Sequence, residues 1–189
     1  YDSSKLYFLG ISMGGIFGGT YAALNPRVSK TCLHVGGAAL GQMMFRSGPF
    51  QPFIFMLDQI MSDRLTQQKL AAQVQSHFDR IDPASFSSYL LDEDLPFGPD
   101  SGREGREFLF QVGLADSQVP NMGSFLHTRM VGVPLMVPTP HMVFGLEPVT
   151  APHSGSALMV FDMGEDGSFY EEPIPPDEDE TRIHIALRG

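Results

Sequence analysis

Residues 6–24 read LYFLGISMGGIFGGTYAAL, an apolar run and an alanine-rich segment joined through glycines and one serine. Each glycine costs backbone entropy on ordering. Gly10, Gly14, Gly15, Gly18 and Gly19 in so short a span therefore point to a local geometry that side chains would obstruct. Leu6, Tyr7, Phe8 and Leu9 are β-prone and almost continuously apolar, the pattern of a strand buried on both faces in a parallel sheet. After Ser12 the pattern turns helical. Met13, Ile16, Phe17, Tyr21 and Leu24 recur at spacings of three and four, Gly14, Gly15, Gly18, Gly19, Ala22 and Ala23 permit close packing on a sheet, and Asn25-Pro26 ends the element.

Gly10-Ile11-Ser12-Met13-Gly14 matches G-x-S-x-G at this strand-to-helix junction. In that motif the serine occupies a strained turn that holds its hydroxyl out above the sheet. Side chains two positions before and after the serine would collide in so tight a bend, which accounts for Gly10 and Gly14. A turn of small residues can also serve helix-to-strand packing alone. The strand before it and the helix after it favour an activated serine.

Hydrophobic residues make up 42% of the 189 and charged ones 18%, a globular balance, and folding a chain of this size buries roughly 70% of the unfolded surface. No run reaches the 18 or so apolar residues of a membrane span. The net charge is −10, but eight of the acids (Glu165, Asp166, Glu171, Glu172, Asp177, Glu178, Asp179, Glu180) fall in residues 165–181 without a base, leaving −2 elsewhere. A nearly neutral domain with an acidic loop excludes nucleic acid as a partner, because phosphate binding needs clustered Lys and Arg. The acids Asp177 to Glu180 lack the alternating ligands and glycine of an EF-hand loop, so they read as a solvated loop and not a calcium site. Cys32, the single cysteine, lies in the apolar stretch TCLHVGG and reads as a core thiol.

The chain divides into three parts. Residues 1–37 hold the first strand, the serine turn, its helix and a second strand over Ser29 to Val35. Residues 38–105 form an insertion rich in Met and Phe, with a polar helical run DRLTQQKLAAQVQSHF, and read either as ordinary helix core or as a cap with adaptable apolar walls. Residues 106–189 resume regular structure with a strand at Glu107 to Val112, a helix over Val119 to Val131 with Pro120 in its first turn, and strands at Val133 to Val137 and Ala157 to Asp162. The fold class is α/β with a mostly parallel sheet and a helical cap insertion.

In such sheets reacting groups gather at the carboxyl ends of the strands. Ser12, Asp116 and a later histidine fit that rule in the order Ser, Asp, His. Six histidines compete. His34 lies inside a strand, His77 in the insertion, His127 in mid-helix, and His153 before a strand and so at the wrong edge. His184 follows the last strand across a long loop and heads a segment, HIALRG, that could begin a helix; His141 is its rival if Val133 to Val137 is the final strand. Asp162 and the acids of the terminal loop compete with Asp116. If Ser12, Asp116 and His184 meet, they can carry acyl transfer with no cofactor and no metal, and the N–H of Met13 is one oxyanion donor. A second donor normally comes from a loop after an earlier strand. Nothing substantial precedes residue 10, so a missing N-terminal part of the same protein, or a second chain, is expected to flank the serine strand, whose bare edge would otherwise be competent to pair.

GISMGG with its flanking elements resembles the nucleophile elbow of the α/β-hydrolase superfamily, QVGLADSQVPN its acid segment and TRIHIALRG its histidine segment; together these cover about a fifth of the chain. The match is similar to bacterial lipase and esterase-like hydrolases that carry a large insertion after the sixth strand and a D-x-x-x-P-N motif after the seventh. The resemblance implies that Ser12 is the nucleophile, Asp116 the acid and His184 the base of a serine hydrolase cleaving small-molecule or lipid esters of apolar acyl groups. A peptidase or thioesterase would use the same three residues. The alternative of another class is a catalytically silent module of this fold that binds a hydrophobic ligand or partner.

Overall fold

A computed structural model describes residues 5–91, 105–162 and 181–187. The acidic run from Glu165 to Glu180 lies outside the described residues. The chain runs β1 (Leu6–Ile11), α1 (Met13–Leu24), β2 (Val28–His34), a helical stretch comprising α2 (Leu40–Met43), α3 (Gln51–Ile60), α4 (Arg64–Phe78) and α5 (Ser88–Leu91), then β3 (Glu107–Gly113), α6 (Asn121–Val131), β4 (Leu135–Val137), β5 (Pro148–Thr150), β6 (Ala157–Phe161) and α7 (Thr181–Ala186). The strands form one six-stranded sheet in the order β1-β2-β3-β6-β4-β5, with every pairing parallel. All carboxyl ends therefore share one edge, and residues far apart in sequence can meet there.

The helix α1 lies close on the sheet because its inner face is small. Gly15, Gly18, Gly19, Ala22 and Ala23 are buried, whereas Met13, Phe17, Tyr21 and Leu24 stay exposed. Of the large residues that make α1 read as helical, only Ile16 is buried. A Cβ at Gly18 would meet the Phe8 ring at 2.6 Å and Leu33 at 3.0 Å, so a larger residue would lift the helix off β1 and β2. The main core fills this layer, with Leu33, Phe108, Phe110, Val112, Leu158 and Val160 from the strands packed with Ala22, Ala23 and Val131. Arg106 is buried in it and donates to the carbonyls of Val28, Ala22 and Leu90, tying β2, α1 and α5 together.

Several sequence expectations change. Strand β1 is not buried on both faces: Tyr7, Leu9 and Ile11 are 58%, 62% and 39% exposed, because β1 is the sheet edge among the described residues and its outer face lacks a packed layer. Cys32 shares that less covered face, sits half-buried and lies 3.3 Å from Gln111 Oε1; burial raises its thiol pKa. Helix α6 begins at Asn121, one residue after Pro120, and not at Val119. The three-residue strand β5 gives no signal in the sequence, since Pro148 opens it and it is too short to show alternation. Among the described residues no helix is long and apolar enough to cross a membrane.

His127 on α6 is fully buried against the Phe110 ring, and neither of its ring nitrogens has a hydrogen-bond partner. Burial pushes its pKa down to about 4, against a smaller opposing pull from the Asp82 carboxylate. The unfolded chain takes up this proton near the ordinary value of about 6.5, so stability is full above that pH and is lost as pH falls toward 4, by up to about 3 kcal/mol. Urea melts at pH 7.5 and pH 4.5 check this. The His127→Leu variant is expected to lose less stability on acidification than the parent, and an equal loss in both contradicts the assignment.

Candidate active site

Strand β1 ends at Ile11 and α1 begins at Met13, leaving Ser12 alone to make the bend. Its backbone sits at φ 57° and ψ −119°, a region that costs a non-glycine residue of order 1–3 kcal/mol. Two backbone hydrogen bonds hold it there. Ser12 N–H donates to the His34 carbonyl at 2.9 Å, linking the bend to the end of β2, and the Ser12 carbonyl accepts from Ile16 N–H at 2.9 Å, opening the helix. Close approach is required on both sides of the serine. A Cβ on Gly10 would stand 2.1 Å from the Gly14 carbonyl oxygen, and one on Gly15 would stand 2.6 Å from the His34 carbonyl oxygen. Gly14 itself has open space where a side chain would go, so the expected collision on that side belongs to Gly15.

The second strand end is built by a different turn. After β3, Ala115 takes φ 64°, and the buried Asn121 side chain clamps the loop by accepting from Ala115 N–H at 2.7 Å and donating to the Gly113 carbonyl at 2.7 Å. This presents Asp116, itself buried. Its Oδ1 accepts from the N–H groups of Gln118 at 2.8 Å and Val119 at 3.0 Å, leaving Oδ2 for another partner.

That partner is His184. The ring is fully buried on α7, with Nδ1 2.7 Å from Asp116 Oδ2 and Nε2 2.8 Å from Ser12 Oγ. An ionised carboxylate can only accept, so Nδ1 carries the proton and Nε2 is left as the acceptor for the serine hydroxyl. Helix α7 reaches this position because Gly113 has no side chain: a Cβ there would meet Ile183 and Leu187 at 2.8 Å each. His184 lies in the last turn of α7, whereas the sequence reading has it heading a helix: the helix already starts at Thr181.

Ser12, Asp116 and His184 are thus brought together, and the rival histidines are engaged elsewhere. His141 stacks on Phe125 at 5.5 Å between ring centroids, His34 Nδ1 lies 3.0 Å from Gln111 Oε1, His153 Nε2 lies 3.2 Å from the Ser156 carbonyl, and His77 is exposed on α4. Met13 opens α1, where first-turn amides have no acceptor within the helix.

Three residues that shape the site do not stand out in the sequence. Asn121 stands in the D-x-x-x-P-N motif, where it could have been singled out. Gly113 carried no signal beyond ending a strand. Asp82 is fully buried and accepts from Ala39 N–H, Leu40 N–H, Ala84 N–H and the Gln75 side chain, fixing the start of α2 beside the site. In sequence it looks like an ordinary residue before a proline.

Fold and strand-end geometry together define an α/β-hydrolase-like architecture. Among solved structures the chain is similar to acetyl xylan esterase 1 from Thermoanaerobacterium sp. JW/SL YS485, with a TM-score of 0.52 and 14% sequence identity over the whole of this chain and 47% of that one. The chain therefore spans about half the length of that enzyme, and the likeness is one of fold. No protein-family model and no curated protein matches it.

The two glycines of the G-x-S-x-G motif should respond oppositely to a methyl group. Gly10→Ala forces the bend apart and is expected to destabilise by about 1–3 kcal/mol. Gly14→Ala meets nothing and gains about 0.5–1 kcal/mol of helix preference. Thermal melts of both variants check the pair; equal destabilisation contradicts the packing described.

Proposed function

We propose that the protein is a serine hydrolase of the carboxylesterase or lipase type, cleaving carboxylic esters of apolar acyl groups through an acyl-enzyme. The observation that carries this reading is the continuous chain from Ser12 Oγ through His184 to Asp116, at 2.8 and 2.7 Å, with the serine in a left-handed bend. Burial of His184 and Asp116 supports it further, since excluding water strengthens the interaction between imidazolium and carboxylate. The esterase named for the similar solved structure points the same way.

In this reading Ser12 Oγ attacks the ester carbonyl carbon while His184 Nε2 takes its proton, and Asp116 stabilises the imidazolium. The oxyanion forms beside the Met13 N–H. Collapse breaks the bond to the leaving alcohol, which departs with the proton from His184. Water, deprotonated by the same ring, then attacks the acyl carbon and releases a carboxylic acid and free Ser12. Residues 38–105 act as the cap. Gly48 N–H donates to the Ser117 carbonyl at 2.8 Å and Ser47 Oγ to the Gln118 carbonyl at 2.7 Å, tethering the insertion to the loop that carries Asp116.

A further strand, from another part of a longer polypeptide or from a second chain, completes the assembly on β1 in this proposal. Parallel sheets are normally covered on both faces, whereas among the described residues β1 has a free edge and an exposed apolar outer face. That segment would supply the second oxyanion donor. Hydrogen exchange reads this directly: the β1 amides that point away from β2 should be protected in the assembled, active protein and exchange quickly in this chain alone. Fast exchange in both contradicts it.

Labelling with a fluorophosphonate tests the chemistry. Ser12 is expected to take the label and Ser12→Ala to take none, while Asp116→Asn lowers kcat by about 10⁴-fold. Label retained by Ser12→Ala removes the nucleophile assignment, and absence of any labelling favours the silent ligand-binding module.

A further inference from the structure

A small apolar cavity adjoins the serine bend. It lies between Met13 and Ile16, one turn apart on α1, Met43 and Met44 at the end of α2, Phe50, and Val119 beside the Asp116 loop. Its volume of about 30 Å³ holds about two water-sized groups. The walls are fixed from both ends. The buried Asp82 carboxylate pins the start of α2, and the Ser47 hydroxyl and Gly48 N–H are tied to the carbonyls of Gln118 and Ser117. Ser47 and Gln118 are the polar residues of the lining, and the Ser47 hydroxyl is committed to the Gln118 carbonyl.

Resting on the hydrolase reading above, we propose that this cavity receives the acyl chain of the ester and restricts the substrates to short acyl groups of two or three carbons, with Met44 as the wall that sets the limit. Met13, which lines the cavity, directly follows the serine that would carry the acyl group. Met44 is only partly buried, so it can be shortened with less disturbance than the buried Met43 and Ile16 beside it. Flexible methionine walls fill gaps readily. Removing one should convert the limit into room for further methylenes.

The test compares 4-nitrophenyl acetate, butyrate and octanoate by kcat/KM on the wild type and on Met44→Ala. The wild type is expected to prefer acetate. Met44→Ala should raise the butyrate-to-acetate ratio about tenfold, each added methylene that finds apolar cover contributing about a factor of four. Inactivation by ethyl- and hexylphosphonate esters provides a second reading that needs no turnover: the ethyl compound should react faster with the wild type, and the gap should narrow in Met44→Ala. A protein that reacts with these compounds at rates indifferent to chain length, or with ratios unmoved by Met44→Ala, overturns the cavity's role and leaves the hydrolase reading standing. Ser12 inert to every ester and phosphonate overturns both.

Discussion

The bend at Ser12 is the constraint on which the remaining structure depends. Its N–H reaches across to the carbonyl of His34 at the end of β2, so the serine is fixed to the neighbouring strand and not merely to its own. That bond, together with the contact of Gly15 against the same carbonyl, fixes how closely α1 can lie on the sheet. The left-handed backbone is unfavourable in isolation. It persists because residues on both sides are bonded or packed into place, and it leaves the hydroxyl turned toward the edge where the other strands end.

From there the parallel topology does the gathering. Ser12 and His184 are 172 positions apart in sequence, and His184 and Asp116 are 68 apart, yet all three meet at one edge. Each arrives by its own device: a glycine-flanked bend for the serine, an asparagine clamp and the positive φ of Ala115 for the aspartate, and the bare surface of Gly113 beneath α7 for the histidine. The helical insertion is bound to the same region from two directions, by the four donors around Asp82 and by the tether to the Asp116 loop. The three side chains and the apolar lining therefore share one hydrogen-bonded frame.

Much of this was legible in the sequence because the signals were local. The glycine spacing around Ser12, the apolar run before it and the small residues after it specify strand, bend and helix in a few residues. Asp116 was legible from its position just past an apolar strand. What was not legible depends on contacts distant in sequence. Nothing near Asp82 or Gly113 says what packs against them, and the roles of Gly14 and Gly15 exchange because the obstructing atom belongs to β2 and not to the motif. The large residues of α1 gave the correct helical period but not the buried face, since the helix is set against the sheet by its glycines and alanines. Strand β1 has the composition of a doubly buried strand while only one of its faces is covered here, and that mismatch underlies the proposal of a further strand beside it.

The central claim is that Ser12 forms a bond to the acyl group during turnover. Quenching the protein in acid while it hydrolyses an activated ester, followed by peptide mapping by mass spectrometry, reads this most directly. The account predicts the acyl mass on the peptide containing Ser12 and its disappearance as substrate is exhausted. Hydrolysis proceeding with that peptide unmodified, or with the acyl mass on another residue, would contradict it.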